Sequence, residues 1–269
     1  MKELNLTRLI VFVFVVSWLG VLPSLLIEHG IDLPAWFKLM NVFMTLGPLL
    51  GAVLFLYRAN GLHEIKQFFR RFLRTKASLT VALVAIVAPI VISFLGSVLG
   101  FWWSGSEWPV EFSVTRITSQ AIIMVLVYLV VNTEELVWRG IVFDKLYDQY
   151  GYLKSYLILI PIWGVFHLPL FLYPGGHLAG YTVLDFAFLV IPSTFILGWI
   201  YIRSNRSLFY VHVHHQLLNG VGTAFPLFPV FIGGNLWPVR VFCGLLVILA
   251  LGLIWTHVRG AEELSKSTD

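Results

Sequence analysis

Eight apolar runs separated by short polar stretches leave this chain few ways to fold. They cover residues 9–27, 39–57, 77–103, 117–143, 155–172, 181–202, 207–225 and 237–257. Most come close to the ~20 residues a helix needs to cross a bilayer. In hydrocarbon every backbone N–H and C=O must be satisfied inside the chain, so such runs fold as helices. The expected architecture is all-α: a polytopic membrane protein of about eight transmembrane helices, forming a single membrane-embedded domain over 1–269. Of the 269 residues, 58% are hydrophobic and 12% charged. A soluble domain carries about 25% charged residues, so the soluble globular class is excluded.

The first run has no small-x-small cleavage site after it, because Pro23 and Glu28 stand where one would fall. It reads as a retained helix rather than a signal peptide. A net charge of +4 and a pI near 9.2 would suggest a nucleic-acid partner in a soluble protein. Here the basic residues lie in short loops, which points to topology and anionic lipid, and no nucleic acid is expected. Fourteen of the eighteen Lys and Arg fall on the side of the termini and of the loops after runs two, four and six. Lys38, Arg116 and Arg240 fall on the other side, and Arg139 lies within a run. By the positive-inside rule both termini should be cytoplasmic. Within 63–76, Ile65, Phe68, Phe69, Phe72 and Leu73 recur at helical spacing among basic residues, as in an amphipathic helix lying on a membrane surface. Cys243 is the single cysteine, which excludes an intrachain disulfide framework and any multi-cysteine metal site.

Glu134 and Glu135 end a charge-free stretch that begins at Ile117. A carboxylate inside a span costs roughly 2.5–3.5 kcal/mol on insertion scales, so a pair of them implies that the fold uses them. On one continuous helix Glu135 and Arg139 lie four apart in the favourable acid-first order. Glu134 falls about 100° around the axis, towards Val131 and Trp138, with no partner nearby in sequence. From this stretch alone, a salt-bridged helix end at the water interface is an equally good account.

Two more runs carry ionisable groups at a matching depth. Glu134 lies 11 residues from Lys145, His167 lies 13 from Lys154, and His215 lies 9 from Arg206. At about 1.5 Å per residue all three sit roughly 14–20 Å from the basic face. The economical arrangement is one wet central cavity, joined by Asn219 one turn after His215.

On these residues the chain resembles the CPBP family of intramembrane endopeptidases. That family includes the CAAX prenyl proteases of the type that removes the last three residues of prenylated proteins. It is marked by Glu-Glu-x-x-x-Arg, Phe-x-x-x-His and His-x-x-x-Asn or Asp on successive membrane helices. Glu134 to Arg139 matches the first motif and His215 to Asn219 the third, with Ser207 eight residues ahead as a serine often stands in the family. The second motif departs in having Trp163 for Phe four residues before His167. Each motif alone is weak, whereas the ordered set is specific, and it covers about 117–222, the expected catalytic core.

The resemblance implies hydrolysis of a peptide bond near a membrane-anchored or prenylated C-terminus. Glu134 would act as general base on a water. His167 would hold that water and later protonate the leaving amine. His215 and Asn219 would donate to the oxyanion, and Glu135 with Arg139 would be structural. Two histidines and a carboxylate are also a plausible zinc set, and the family is often labelled as metalloproteases. Asn219 is a poor zinc ligand and no His-Glu-x-x-His helix is present, so the preferred reading needs no cofactor, with a divalent metal such as zinc as the alternative. His212 is expected to face the cavity and His214 to point elsewhere. The implied partners are membrane lipid and a peptide or prenylated protein; oligomeric state is open. A non-catalytic membrane binding or immunity protein and a small transporter are the alternatives of the same fold. The missing two-fold repeat counts against the transporter, and the intact Glu, His, His, Asn set against the non-catalytic protein.

Overall fold

The computed structural model describes residues 5–174, 176 and 178–266, with side chains as far as 258. Its helices are α1 (Leu6–Glu28), α2 (Val42–Phe69), α3 (Leu79–Ala82), α4 (Ala88–Ser104), α5 (Val114–Val131), α6 (Glu134–Val137), α7 (Asp144–Phe166), α8 (Leu168–Phe171), α9 (Val183–Arg203), α10 (Leu208–Ala224) and α11 (Trp237–Lys266). No strand occurs among the described residues. Six helical stretches are long and apolar enough to cross a membrane: Leu6–Glu28, Ala35–Leu73, Leu79–Ser104, Val114–Val131, Val183–Arg203 and Trp237–Val258. The chain is thus an all-helical, polytopic membrane protein. The fifth and seventh expected spans are present as α7 and α10 but fall short of the other six. Charged residues open α7, and α10 has 17 residues, three of them histidine.

The fourth expected span corrects the continuous-helix reading of 117–143. α5 ends at Val131, Asn132 turns to φ −87°, ψ 108°, and a new helix starts at Glu134. The Asn132 side chain accepts from the Glu134 N–H at 3.2 Å, capping that start. Asn-Thr before Glu-Glu is itself a helix-start signature. The apolar run either side of it obscured that signal. Thr133 is anchored on α2: its N–H and hydroxyl both donate to the Thr45 carbonyl, and its hydroxyl accepts from the Leu49 N–H.

Close approach through glycine sets the helix spacing. Gly96 and Gly100, one turn apart on α4, face α11, and a Cβ at Gly96 would stand 2.7 Å from Cβ of Phe242. Small residues at such a seam let backbones approach where no hydrophobic drive separates helix from lipid. Gly96→Val is expected to cost about 1–3 kcal/mol by overpacking, read as a lower melting midpoint in detergent. A midpoint unchanged from the parent would show that the seam yields freely.

The basic segment at the end of α2 is anchored on the protein as well as lying at its surface. Gly61 takes φ +62° and redirects the chain, a conformation glycine adopts without penalty. Phe68 is then buried, and Ile65, Phe69 and Phe72 pack on the core. Arg71 donates to the Gly140 carbonyl, to the Tyr201 hydroxyl and to Asp144. Arg206 pairs with Asp144 at 2.9 Å and with Asp148 at 2.6 Å. Its hydrogen bond holds the Asp148 carboxyl below the usual range. The opposite end is tied by Lys38 with Glu28 and Arg240 with Asp185. Asp185 lies in the first turn of α9, in a capping box with Thr182.

Candidate active site

The break before Glu134 decides which way the paired carboxylates face. Both stand in the first turn of α6 and are buried, Glu135 completely. They diverge. Glu135 turns inward, where its Oε1 accepts from Arg139 Nη1 at 2.8 Å, the expected four-apart pair. The same oxygen lies 2.6 Å from Nδ1 of His215. A carboxylate accepts, so that nitrogen carries a hydrogen. Glu135 therefore links α6 to α10 and fixes the His215 ring, a contact that sequence spacing did not reveal.

Glu134 turns the other way. Its Oε2 accepts the indole N–H of Trp163 at 2.8 Å and lies 3.6 Å from His167 Nε2. His167 donates from Nδ1 to the Trp163 carbonyl at 2.8 Å. In the neutral ring this leaves an acceptor at Nε2, turned towards Glu134. α7 ends at Phe166 and the short α8 follows, so His167 sits at a turn rather than within a helix.

Trp163 is the residue whose place the sequence did not show. Besides its bond to Glu134, its ring lies under the Arg139 guanidinium, 4.2 Å from centroid to Cζ. It meets the rings of His167 and His215 edge-on at 5.4 and 5.7 Å. One indole thus touches four of the six residues singled out from sequence. The tryptophan four before His167 was the available signal, since phenylalanine has no N–H to give.

The cavity at this junction measures about 300 Å³ and is lined by Glu134, Trp163, His167, His215 and Asn219 with a mostly apolar wall. Asn219 lines it beside the two histidines and Glu134, while Glu135 and Arg139 lie behind them. His212 does not line the cavity: it bonds the Leu129 carbonyl at 2.9 Å and packs edge-on against Phe72. His214 is buried against the Val84 carbonyl. Ser207 caps α10 by accepting from the Tyr210 N–H.

No three of the described His, Cys, Asp and Glu side chains converge as ligands. His167 and His215 each give Nδ1 to an oxygen acceptor and keep Nε2, and the indole takes one Glu134 oxygen, so Glu134 and the two Nε2 atoms would be the donors to a divalent metal.

Two comparisons bear on these residues. Residues 117–221 match the family model described as type II CAAX prenyl endopeptidase Rce1-like. Over 144 residues the chain is 26% identical to CAAX prenyl protease 2 of Methanococcus maripaludis, covering 51% of this chain and 51% of that protein. The chain thus spans about half the length of this curated relative. The segment 117–221 holds both glutamates, Arg139, Trp163, both cavity histidines and Asn219, and over it the chain is similar to the type II CAAX prenyl endopeptidases, which supports the CPBP family.

Proposed function

We propose that the chain is an intramembrane endopeptidase, hydrolysing a peptide bond in a membrane-anchored or prenylated polypeptide by a water held between Glu134 and His167. The carrying observation is the 3.6 Å approach of Glu134 Oε2 to His167 Nε2 in a cavity that His215 and Asn219 also line. Glu134 takes one proton as the water oxygen bonds the carbonyl carbon. That proton passes to His167 Nε2 and on to the leaving nitrogen as the C–N bond breaks. The oxyanion is met by the Asn219 amide and by His215. With Nδ1 given to Glu135, His215 donates to the oxyanion from Nε2 only as the imidazolium. The fourteen-to-three division of basic residues favours cytoplasmic termini. The test is cleavage of membrane-anchored and prenylated peptides by the purified protein in detergent, with Glu134→Gln as control. Equal cleavage by both proteins, or by neither, sinks the reading.

Trp163 serves this chemistry by positioning the base. Trp163→Phe keeps an aromatic ring, and the type found in the family's motif, but removes the N–H. A hydrogen bond to a charged group contributes about 1.5–3 kcal/mol, so kcat is expected to fall about ten- to a hundredfold with KM little changed. Steady-state kinetics separate this from a packing defect, which would lower the melting midpoint and leave kcat of the folded fraction intact.

A further inference from the structure

A second cavity, of about 800 Å³, lies where the end of α2 meets the head of α7, and it shares no lining residue with the first. Arg70, Arg71, Arg74 and Lys145 all line it. Of the carboxylates beside them, Asp144 and Asp148 are satisfied by Arg71 and Arg206. Arg71 is spent further on the Gly140 carbonyl and the Tyr201 hydroxyl. That leaves Arg70, Arg74 and Lys145 against Glu64, a surplus of two positive charges in one cavity. Among the described residues none of these four forms an ion pair. Arg74 donates to the Asn205 carbonyl, and Lys145 only adds to the pull that Arg206 exerts on the Asp148 carboxyl. The unpaired cations come from two elements, Arg70 and Arg74 from the turn that follows α2 and Lys145 from α7.

The apolar part of the lining sets the depth. Leu56 and Ala59 stand at the end of the apolar run of α2, and the backbone turns at Asn60 and Gly61. Phe68 and Ile141, both buried, add an apolar wall. Tyr57, exposed in the same turn of α2, is a residue type enriched at headgroup level. The cavity thus joins cations to apolar surface where a membrane span gives way to water, the level of phospholipid headgroups. We infer that it seats the headgroup of an anionic phospholipid, with the phosphate among Arg70, Arg74 and Lys145 and the glycerol backbone towards Leu56 and Phe68. Arginine and lysine give phosphate oxygens charge-assisted hydrogen bonds. A free phosphate offers the same oxygens, but a cavity of this size suits a drug-sized ligand, and the bare ion would leave most of it to water. The site stands apart from the hydrolase reading, because none of its residues belongs to the candidate active site.

Phosphatidylglycerol, phosphatidylcholine and inorganic phosphate are the probes, each added to the purified full chain in neutral detergent, with bound lipid read by native mass spectrometry. Phosphatidylglycerol is expected to bind about tenfold more tightly than phosphatidylcholine, whose choline cancels the phosphate charge. Arg70→Gln combined with Lys145→Gln removes two exposed cations and breaks no ion pair. At about fivefold per cation near an anionic lipid, its affinity for phosphatidylglycerol is expected to fall about thirtyfold. Lys66→Gln combined with Lys154→Gln removes the same charge from exposed positions outside the lining, and is expected to leave the affinity nearly unchanged. Melting midpoints without added lipid, expected to be the same in the parent and both double variants, separate lost binding from unfolding. Equal losses in the two double variants overturn the inference, as does a parent that binds both lipids alike, which is read without any variant. Inorganic phosphate that displaces the lipid and raises the melting midpoint as far as phosphatidylglycerol does overturns the lipid and assigns the cavity to the free ion.

Discussion

Glu134→Gln is expected to lower the cleavage rate by about 10²–10⁴-fold, the usual contribution of a positioned general base, without unfolding the protein. The amide oxygen still accepts the Trp163 indole N–H, which at present lies 2.8 Å from the carboxylate. Shape, and the hydrogen bond that orients the side chain, are therefore retained. What is lost is the capacity to take a proton from water beside His167. Rates of purified protein in detergent, set beside melting curves of the same samples, check both halves of the expectation. A wild-type rate in Glu134→Gln would remove Glu134 from the chemistry. A lost rate with a collapsed midpoint would assign it to the fold instead.

Glu135→Ala and Arg139→Ala are expected to act the other way round, on stability first. Both side chains are fully buried and share a 2.8 Å ion pair. Removing one partner of such a pair strands the other charge, at a cost of about 3–5 kcal/mol. That is a large part of the ~5–15 kcal/mol that holds a typical domain folded. Glu135→Ala also frees His215, whose Nδ1 has its partner in the same oxygen. It is therefore expected to lose turnover in whatever fraction remains folded, where Arg139→Ala loses less. Denaturation midpoints and activity per folded molecule separate the two effects. Replacing both residues with apolar ones of similar volume should recover part of the stability and none of the activity. Unchanged midpoints in the single variants would move the pair wholly into the chemistry.

How much of this was legible beforehand varies by residue. Glu135 with Arg139 could be read directly, because four residues on a helix is a local distance, and both fall within the helical run after the break. Glu134, His167, His215 and Asn219 could be grouped because in hydrocarbon each needs polar company, and counting from the basic loops put the first three at one depth. The eight-helix count relied on apolar runs, and the runs carrying the site are the ones that the site's own polar residues shorten. The turn at Asn132 was hidden for a related reason: hydropathy sees Ile117 to Val131 and Leu136 to Phe143 as one stretch, while the cap that separates them is two small polar residues. The Trp163–Glu134 and His215–Glu135 contacts span 29 and 80 residues. They depend on how α6, α7 and α10 rotate against one another, which no periodicity within a single helix specifies.

Thr133 has a mechanical consequence. The Thr45 carbonyl, which would ordinarily receive the Leu49 N–H one turn on in α2, receives the Thr133 hydroxyl at 2.6 Å, and Leu49 donates back to that hydroxyl at 3.1 Å. A single hydroxyl is spliced into the backbone ladder of a helix that lines the cavity. The residue carrying it directly precedes Glu134. Met44 and Thr45 line the cavity, so a segment that wedges the head of α2 outward draws on the backbone of the base itself, with no rotating side chain in between. Occupancy of the cavity beside α2 and the aim of the carboxylate are in this way parts of one lever.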